Sequence, residues 1–443
     1  MNPPQDATFS TPGPRWLPWA FALIWFLALV LPAILLGYNH TPAAVDQNVW
    51  HIPQTNHFIE HPSHVFSYPA KSATTPGHHL FLALTAKLYG YSAIDEHTVL
   101  VRLINALFGI GLLVLALKIT ARLSGSMWRA LTFTLPLACS MYVLSGAIWI
   151  VTDDGALFFY ALLLYFFLFH ENAAWKAGLA AACLVFWRQI YLPVAGAMVF
   201  KDIRLVVSPP LEGGGRGRAR AASKLLLAIV PAAIVVAAFV ASWGGFQPPE
   251  FREFNRMTFH AAVPLHALAL FGLLSVLWLP LLASSLTGFS RKTLTLAALG
   301  SSVVVLSLWL MGPSLYNMEA GRWGSIIWSL AGRLPSWNER SLLLIVLALF
   351  GAVVFVLLFA EAIRRKYYPV ELIMLALYFL AYSAQVQAWQ RYIEPHILLT
   401  LAVTAARQET PGKFRFAGPL VLAAGLLALS LGRVYGVVPQ ISN

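Results

Sequence analysis

The chain has 443 residues, of which 59% are hydrophobic and 11% carry a charge. Apolar runs of about twenty residues recur from Trp16 to Leu431, and each is long enough to cross the hydrocarbon core of a bilayer. This composition excludes an ordinary soluble protein. The net charge of +12 is typical of basic cytoplasmic loops beside anionic lipid, so we expect membrane lipids and no nucleic acid as partners.

The first apolar run, residues 16–36, predicts a retained membrane helix, because it lacks the cleavage site of a signal peptide. A long polar segment, residues 37–98, follows it. Loops of this length are usually functional or disordered, and the aromatic residues Trp50 and Phe58 favour a folded one. We expect this first external loop to form one wall of a polar site. It holds eight of the twelve histidines: His40, His51, His57, His61, His64, His78, His79 and His97.

Twelve further apolar runs predict helices, so we expect an all-α polytopic membrane protein with about thirteen spans. Polar stretches at 151–155, 187–189, 244–263 and 312–340 separate some of them. The predicted helices are 99–120, 130–150, 156–169, 174–186, 189–200, 225–243, two that meet at Arg291-Lys292, one ending near residue 364, one reaching residue 385, one beginning near residue 394, and 419–431.

The distribution of basic residues predicts the orientation. Lysines and arginines are denser on the side of the N-terminus, which is therefore expected in the cytoplasm, with residues 37–98 external. Residues 201–224 combine Pro-Pro, Gly-Gly-Gly and alternating arginines, which predicts a flexible basic cytoplasmic loop. Cys139 and Cys183 fall in apolar runs, so no disulfide framework is indicated. We expect one domain over residues 1–443.

Polar residues recur at the external ends of the predicted helices. Ionisable groups at membrane depth are costly and are functional candidates by default. Arginine binds phosphate through two parallel hydrogen bonds, and a carboxylate can accept the proton of an attacking hydroxyl. Arginines facing carboxylates therefore predict a reaction with a lipid-borne phosphate. The candidates are Asp46, Asp153-Asp154, Arg188-Gln189, His260 to His266 and Gln390-Arg391-Tyr392.

Each candidate also has a plainer interpretation. Asp46 is compatible with an exposed loop carboxylate, and Asp153-Asp154 with a solvated turn. Arg188 is compatible with a side chain that reaches the interface, and Arg391 with an anchor among interfacial aromatics. For the histidines the alternative is a metal site, because His78-His79 and the trio His57, His61 and His64 have usable spacings. No cysteine or HExxH pattern supports a metal, so we predict none.

Several motifs resemble one enzyme family. DQNVWHIPQ (46–54) and TTPGHHL (74–80) are similar to the DE-x-FH-x-PQ … TTPG-x-Y pattern of the endoplasmic-reticulum α-1,2-glucosyltransferases. These eukaryotic enzymes add the terminal glucose to the dolichol-linked oligosaccharide. The similarity continues in order along most of the chain, with VRLINALFG (101–109), VTDDGA (151–156), WRQIYLP (187–193), MTFHAAVPLHAL (257–268) and QRYIEPHILL (390–399).

The resemblance implies a GT-C glycosyltransferase fold, a polyprenyl-phosphate sugar donor and an external active site. Asp46 matches the first acidic residue of the family's opening motif, and Gln47 replaces its second acid. This replacement removes a possible metal ligand, so we expect metal-independent chemistry without a cofactor. The compact loops suggest a prokaryotic relative. The later motif residues matched are Asp153, Arg188, Gln189, Arg391 and Tyr392.

The resulting hypothesis is an inverting hexosyltransferase of the bacterial inner membrane with a periplasmic active site, or of the endoplasmic reticulum in a eukaryote. Asp46 would be the general base, Asp153 would orient the acceptor or an arginine, and Arg188 and Arg391 with Tyr392 would hold the donor phosphate. The acceptor would be a glycan or glycolipid. A transporter or flippase of a lipid-linked substrate and a non-catalytic scaffold are the alternatives. Further substrate-binding candidates are Gln47, His51, Gln54, Thr75, His79, Asp154, Gln189, His260 and His266.

Overall fold

The computed structural model describes residues 13–37, 42–66, 72–170, 174–197, 214–252, 257–286, 288–408 and 416–436. The expectations for His40 and for residues 201–213 lie outside the described residues. Within these ranges, the regular elements are helices and one small antiparallel hairpin, β1 (Ser336–Trp337) and β2 (Arg340–Ser341). The two residues between the strands, Asn338 and Glu339, both have positive φ, as in a type I′ turn.

The first helix, α1, runs from Leu17 to Leu35 through a π-helical turn, Phe26–Val30. The second, α2, joins Pro42–Asp46, a π-helical turn Gln47–His51, and Ile52–Glu60. The others are α3 (Gly77–Leu88), α4 (Thr98–Ser124), α5 (Met127–Ala138), α6 (Met141–Ile148), α7 (Asp153–Phe169), α8 (Ala174–Trp187), α9 (Leu192–Ala195), α10 (Gly214–Trp243), α11 (Ala262–Val276), α12 (Leu279–Leu286), α13 (Arg291–Leu310), α14 (Ile326–Ala331), α15 (Leu342–Arg364), α16 (Val370–Tyr382), α17 (Gln390–Ala406) and α18 (Ala417–Val434). Short 3₁₀ turns occupy Asp95–His97, Gln189–Tyr191 and Pro249–Phe251.

Several of these helices are long and apolar enough to cross a membrane. Among the described residues there are six, or seven if the bent pair α5 and α6 forms one span, and α8, α11 and α16 are shorter apolar helices. The protein is therefore a helical membrane protein, and the expected thirteen spans are not confirmed. The six are Leu17–Leu35, Asp95–Ser124, Ala222–Trp243, Arg291–Leu310, Leu342–Arg364 and Ala417–Val434.

Close helix packing is clearest between α11 and α15. A Cβ atom added at Gly272 would lie 2.2 Å from the carbonyl oxygen of Leu347, and one added at Gly351 would lie 2.1 Å from that of Leu268. Membrane helices associate through such small residues because their backbones can then approach closely. The two glycines therefore set how closely these helices can pack.

The predicted single helix over residues 130–150 was wrong. Two helices, α5 and α6, occupy this region and meet at an angle of 73°. Pro136 lies near the end of α5, and proline interrupts the helical hydrogen-bond ladder. Ser140 then starts α6, where its hydroxyl accepts from the backbone N–H of Tyr142 at 3.2 Å.

Two further boundaries differ from the expectation. Residues 214–224, predicted as part of a flexible loop, belong to α10, because alanine, arginine and lysine favour helix strongly enough to outweigh the glycines. The helix predicted over residues 189–200 is a 3₁₀ turn followed by the four residues of α9 in its described part.

The described parts of the segment between α1 and α4 are folded, as its aromatic residues indicated. Helices α2 and α3 pack on each other and share an apolar core that contains Ile52, Phe58 and Leu82. The same core includes Val101 of α4 and Ile150, which follows α6. Residues 42–60 and 77–88 are thus fixed against the membrane body, and their external orientation stays a prediction.

Candidate active site

Four charged side chains from distant parts of the chain meet at one place. Arg188 Nη1 donates to Asp153 Oδ1 at 2.7 Å, and Arg391 Nη1 donates to Asp46 Oδ2. The other oxygen of Asp153 lies 4.0 Å from Nε of Arg391, so Asp153 links the two ion pairs. Each side chain is 11% to 22% exposed. The structure therefore brings together the four charged residues to which the sequence analysis gave roles.

A different local structure positions each of the four. Asp153 lies in the first turn of α7, where the unpaired backbone N–H groups of a helix N-terminus stabilise a carboxylate. Arg188 follows α8 in extended backbone, with φ −154° and ψ 113°. Arg391 lies in the first turn of α17. Asp46 immediately precedes the π-helical turn of α2, and such turns are frequent at functional sites.

Tyr392 lies between the two arginines. The guanidinium carbons of Arg188 and Arg391 are 4.4 Å and 4.7 Å from its ring centroid, which is within the range of cation–π attraction. Arg391 Nη2 also donates to the Tyr392 hydroxyl oxygen at 2.6 Å. Nε of each arginine is buried and has no hydrogen-bond partner among the described residues. Such donors are costly to leave unpaired, so the pair is suited to an additional anion.

Gln189 connects this charge cluster to the first external loop. Its Oε1 accepts from the backbone N–H of Thr75 at 2.9 Å, and its Nε2 donates to the carbonyl of Ala73 at 2.7 Å. The Thr75 hydroxyl in turn donates to the carbonyl of Val185 at 2.8 Å. Both predicted substrate-binding residues thus hold the segment before α3 against the end of α8.

Gln47 and Gln54, also predicted to bind substrate, are both 1% exposed. Gln47 Oε1 accepts from Arg102 Nε at 2.9 Å and from the backbone N–H of Ile150 at 3.1 Å. Gln47 therefore joins α2 to α4 and to the end of α6. Gln47 is therefore a structural crosslink.

Asp154 lies beside Asp153 but points into the protein interior. Its side chain is fully buried, and neither carboxylate oxygen has a hydrogen-bond partner among the described residues. A Cβ atom at Gly146 would lie 2.3 Å from Asp154 Oδ1, and one at Gly109 would lie 2.7 Å from Oδ2. Two glycines of the helices packed against α7 make the space for this carboxyl group.

A buried hydrogen-bond chain behind Arg391 was not anticipated. Glu394, one turn along α17, accepts from the Ser140 hydroxyl at 2.7 Å and from Gln390 Nε2. Gln390 Oε1 accepts from the Ser325 hydroxyl at 3.0 Å. A carboxylate in an otherwise apolar run was the only signal in the sequence that could have indicated it. These contacts fix the start of α17 and thereby the direction of Arg391.

The two histidines predicted near α11 have different surroundings. His266 is fully buried, stacks on Trp328 at 4.8 Å, and its Nε2 lies 2.9 Å from the Ser325 hydroxyl. It therefore extends the chain behind Arg391. His260 pairs instead with the hydroxyl of Thr258 at 3.0 Å. The contacts of both histidines are thus with other residues than the four charged ones, and their substrate-binding role stays a prediction.

Three buried histidines lie in the first external loop. His51 Nδ1 is 2.9 Å from His79 Nε2, and His78 Nε2 is 3.0 Å from Asn105 Oδ1. Burial lowers the pKa of all three histidines, and that of His78 falls from 6.5 to about 4. His79 and His78, followed by Arg391 and Arg188, lower the pKa of His51 further through their charges. All three are therefore neutral at pH 7.

The chemistry available at the charged cluster is anion binding next to a carboxylate. Two arginines with unpaired N–H groups provide the donors, and Asp46 and Asp153 provide acceptors that also keep the arginines in place. Comparison with protein-family models, with curated proteins and with solved structures finds no match to this chain. This geometry and the motif resemblance are therefore the two indications of function.

Proposed function

We propose that this protein is an inverting glycosyltransferase of the GT-C fold. It would move a hexose, with glucose as the first candidate, from a polyprenyl-phosphate donor to a glycan or glycolipid acceptor. One observation carries the proposal: Arg188 and Arg391 are paired with Asp153 and Asp46, yet the Nε atom of each arginine is buried and has no hydrogen-bond partner among the described residues. A lipid-linked phosphate is an anion that reaches such a site from a membrane. The motif resemblance supports the same donor.

The arginines would act on the leaving group. A polyprenyl-phosphate sugar carries one negative charge on its phosphodiester, and departure of the sugar leaves a phosphate with a second charge. Donors that are already oriented toward this phosphate stabilise the transition state more than the ground state. Arg188 and Arg391 are held in fixed positions by Asp153 and by the Tyr392 ring, so little reorganisation accompanies the reaction.

Asp46 would be the general base. When the donor phosphate engages Arg391, the Arg391 hydrogen bond to Asp46 weakens, and the carboxylate becomes available to the acceptor hydroxyl. The hydroxyl oxygen then attacks the anomeric carbon opposite the phosphate while its proton passes to Asp46. The transition state has oxocarbenium character, and a single displacement inverts the anomeric configuration. This reaction uses no cofactor.

The orientation predicted from basic residues places this site on the external face. We propose the periplasmic side of a bacterial inner membrane, with a cytoplasmic N-terminus, and the lumenal side of the endoplasmic reticulum if the chain is eukaryotic. The donor and acceptor would both be membrane-associated. The chain would then be a relative of the α-1,2-glucosyltransferase family with a different acceptor.

The test is a transfer assay. Purified protein in lipid nanodiscs is incubated with a panel of polyprenyl-phosphate hexoses and a lipid-glycan extract, and the products are read by mass spectrometry. We expect release of polyprenyl phosphate with a hexose added to an acceptor, and loss of both signals in Asp46→Asn. If a labelled lipid crosses the proteoliposome membrane and no new glycosidic bond forms, the protein is a flippase and not a transferase.

A further inference from the structure

The histidine cluster of His51, His78 and His79 is not used by the proposed reaction. One ring nitrogen of each histidine lies within 4.8 Å of the others, and the three side chains are at most 7% exposed. In the sequence, His78-His79 and the trio His57, His61 and His64 have spacings compatible with a metal site. The cluster instead combines His51 of α2 with both histidines of α3.

Asn105 orients His78. Asn105 Nδ2 donates to the carbonyls of Gly146 and Trp149 at 2.8 Å and 2.9 Å, which fixes its Oδ1 as the atom that faces His78. His78 Nε2 must therefore carry the proton and donate to Oδ1. The lone pair is then on Nδ1, which is buried and has no hydrogen-bond partner among the described residues. A histidine that binds a metal through one ring nitrogen usually donates a hydrogen bond from the other, as His78 Nε2 does here.

The other two histidines already face each other. His51 Nδ1 and His79 Nε2 are 2.9 Å apart, and their rings are stacked with centroids 5.1 Å apart. Two histidine nitrogens on one zinc ion, each at about 2.0–2.1 Å, are about 3.3 Å apart in a tetrahedron. If His51 and His79 moved slightly apart and His78 moved toward them, their three nitrogens would therefore occupy three positions of a tetrahedral site.

We propose that His51, His78 and His79 bind one divalent transition-metal ion of the zinc class. Neutral imidazoles are the ligands that such ions prefer, and three protein ligands leave a fourth position open. Arg188 and Arg391 lower the pKa of His51 electrostatically, so an anion in the fourth position would offset their repulsion of a cation. The ion would also crosslink α2 and α3, the two helices that contribute to the wall of the charged site.

The trio of His57, which is half-buried, with the exposed His61 and His64 provides a matched control. Its ring centroids are 5.0–5.7 Å apart, but it is not among the groups whose nitrogens converge within ligand distance. Substitutions there change the same residue type on the same segment. They test whether metal binding depends on the buried cluster or on histidine content.

The experiment measures metal directly and does not depend on the proposed reaction. Protein purified through a tag without histidine is treated with chelator, loaded with Zn²⁺ or Co²⁺, desalted, and analysed by mass spectrometry of the metal and by visible absorption of bound Co²⁺. We expect about one ion per chain, a tetrahedral Co²⁺ spectrum, and loss of both in His79→Gln and His78→Gln. The double variant His61→Gln/His64→Gln should keep them. Asn105→Ala should weaken binding by about 10–100-fold.

Thermal unfolding gives a second measurement if a variant folds poorly. An ion that binds only the folded state raises the unfolding midpoint in proportion to ln(1 + [L]/Kd), so Zn²⁺ should raise the midpoint of wild-type protein. Metal well below one ion per chain in wild type, with no change in midpoint, overturns the proposal. Equal metal content in wild type and His79→Gln overturns it as well.

Discussion

Asp46 and Arg391 are 345 positions apart in the sequence and form an ion pair. Asp46 lies in α2 and Arg391 in the first turn of α17, so the pair joins two distant parts of the sequence. It also combines the proposed base with one of the proposed phosphate ligands. A carboxylate that holds an arginine before substrate arrives, and loses that contact when phosphate binds, would be free to contact the acceptor hydroxyl only in the complex.

Asp46→Asn tests the base. The amide keeps the size of the side chain and can still accept a hydrogen bond from Arg391, but it takes no proton at neutral pH. Turnover should fall by about 10²–10⁴-fold, with donor affinity and protein yield retained. The measurement is single-turnover transfer, with Glu60→Gln on the same helix as the control. If Asp46→Asn keeps more than about a tenth of wild-type turnover, the base is another acid, with Asp153 the first to examine.

Arg188 is predicted to bind the donor phosphate. Arg188→Ala should weaken donor binding by about 2–5 kcal/mol, because it also leaves Asp153 without its cation. Arg188→Lys keeps the charge but loses the planar pair of donors, so turnover should still drop clearly. Donor affinity is measured by titration in nanodiscs, with the exposed Arg333→Ala as the matched control. Unchanged affinity in Arg188→Ala would reduce Arg188 to an interfacial anchor.

Gln47 is predicted to stabilise the fold. Gln47→Leu removes the acceptor of the Ile150 N–H and one acceptor of Arg102, which should lower the unfolding free energy by about 1–3 kcal/mol. Gln47→Glu still accepts both hydrogen bonds and adds a charge opposite Arg102, so it should be tolerated. Thermal unfolding in detergent compares the two variants. Equal midpoints for Gln47→Leu and wild type would contradict the crosslink.

The lowered pKa of His78 predicts that the folded protein loses stability in mild acid. Its pKa is lowered from 6.5 to about 4 in the folded protein. Between these two pH values His78 is therefore mostly protonated in the unfolded state and mostly neutral in the folded state. The stabilisation is complete above pH 6.5 and is lost as pH falls toward 4, in an amount of about 3 kcal/mol. His51 and His79 are shifted in the same direction.

The measurement is the unfolding midpoint between pH 7 and 4.5 in the presence of chelator. His78→Gln cannot titrate and should show a shallower decline than wild type, whereas His61→Gln should follow wild type. Identical slopes for wild type and His78→Gln would mean that His78 is accessible to protons in the folded protein.

The orientation is tested with single cysteines in a Cys139→Ser/Cys183→Ser background. Glu60→Cys, on the first external loop, should react with an impermeant thiol reagent in intact cells. Lys292→Cys, at the exposed start of α13, should react only after permeabilisation. The reverse pattern would place the charged site in the cytoplasm, where nucleotide sugars become the expected donors.

The sequence predicted the helical membrane class and most helix positions, because apolar runs and their breaks are local signals. It was less successful where a break depends on context. The bend between α5 and α6 comes from Pro136 and the Ser140 cap inside a run that is apolar throughout, and the helicity of residues 214–224 comes from propensities that outweigh three glycines. Hydrophobicity alone distinguishes neither case.

For the site, the sequence by itself determined which charged residues are present: Asp46, Asp153, Arg188 and Arg391 are polar groups at the ends of apolar runs. Only the tertiary structure decided their partners. Gln47 contacts Arg102 instead of facing the site, and His51 of α2 joins His79 of α3. The physical reason is that spacing along one helix specifies contacts within that helix, whereas contacts between helices depend on how their backbones pack.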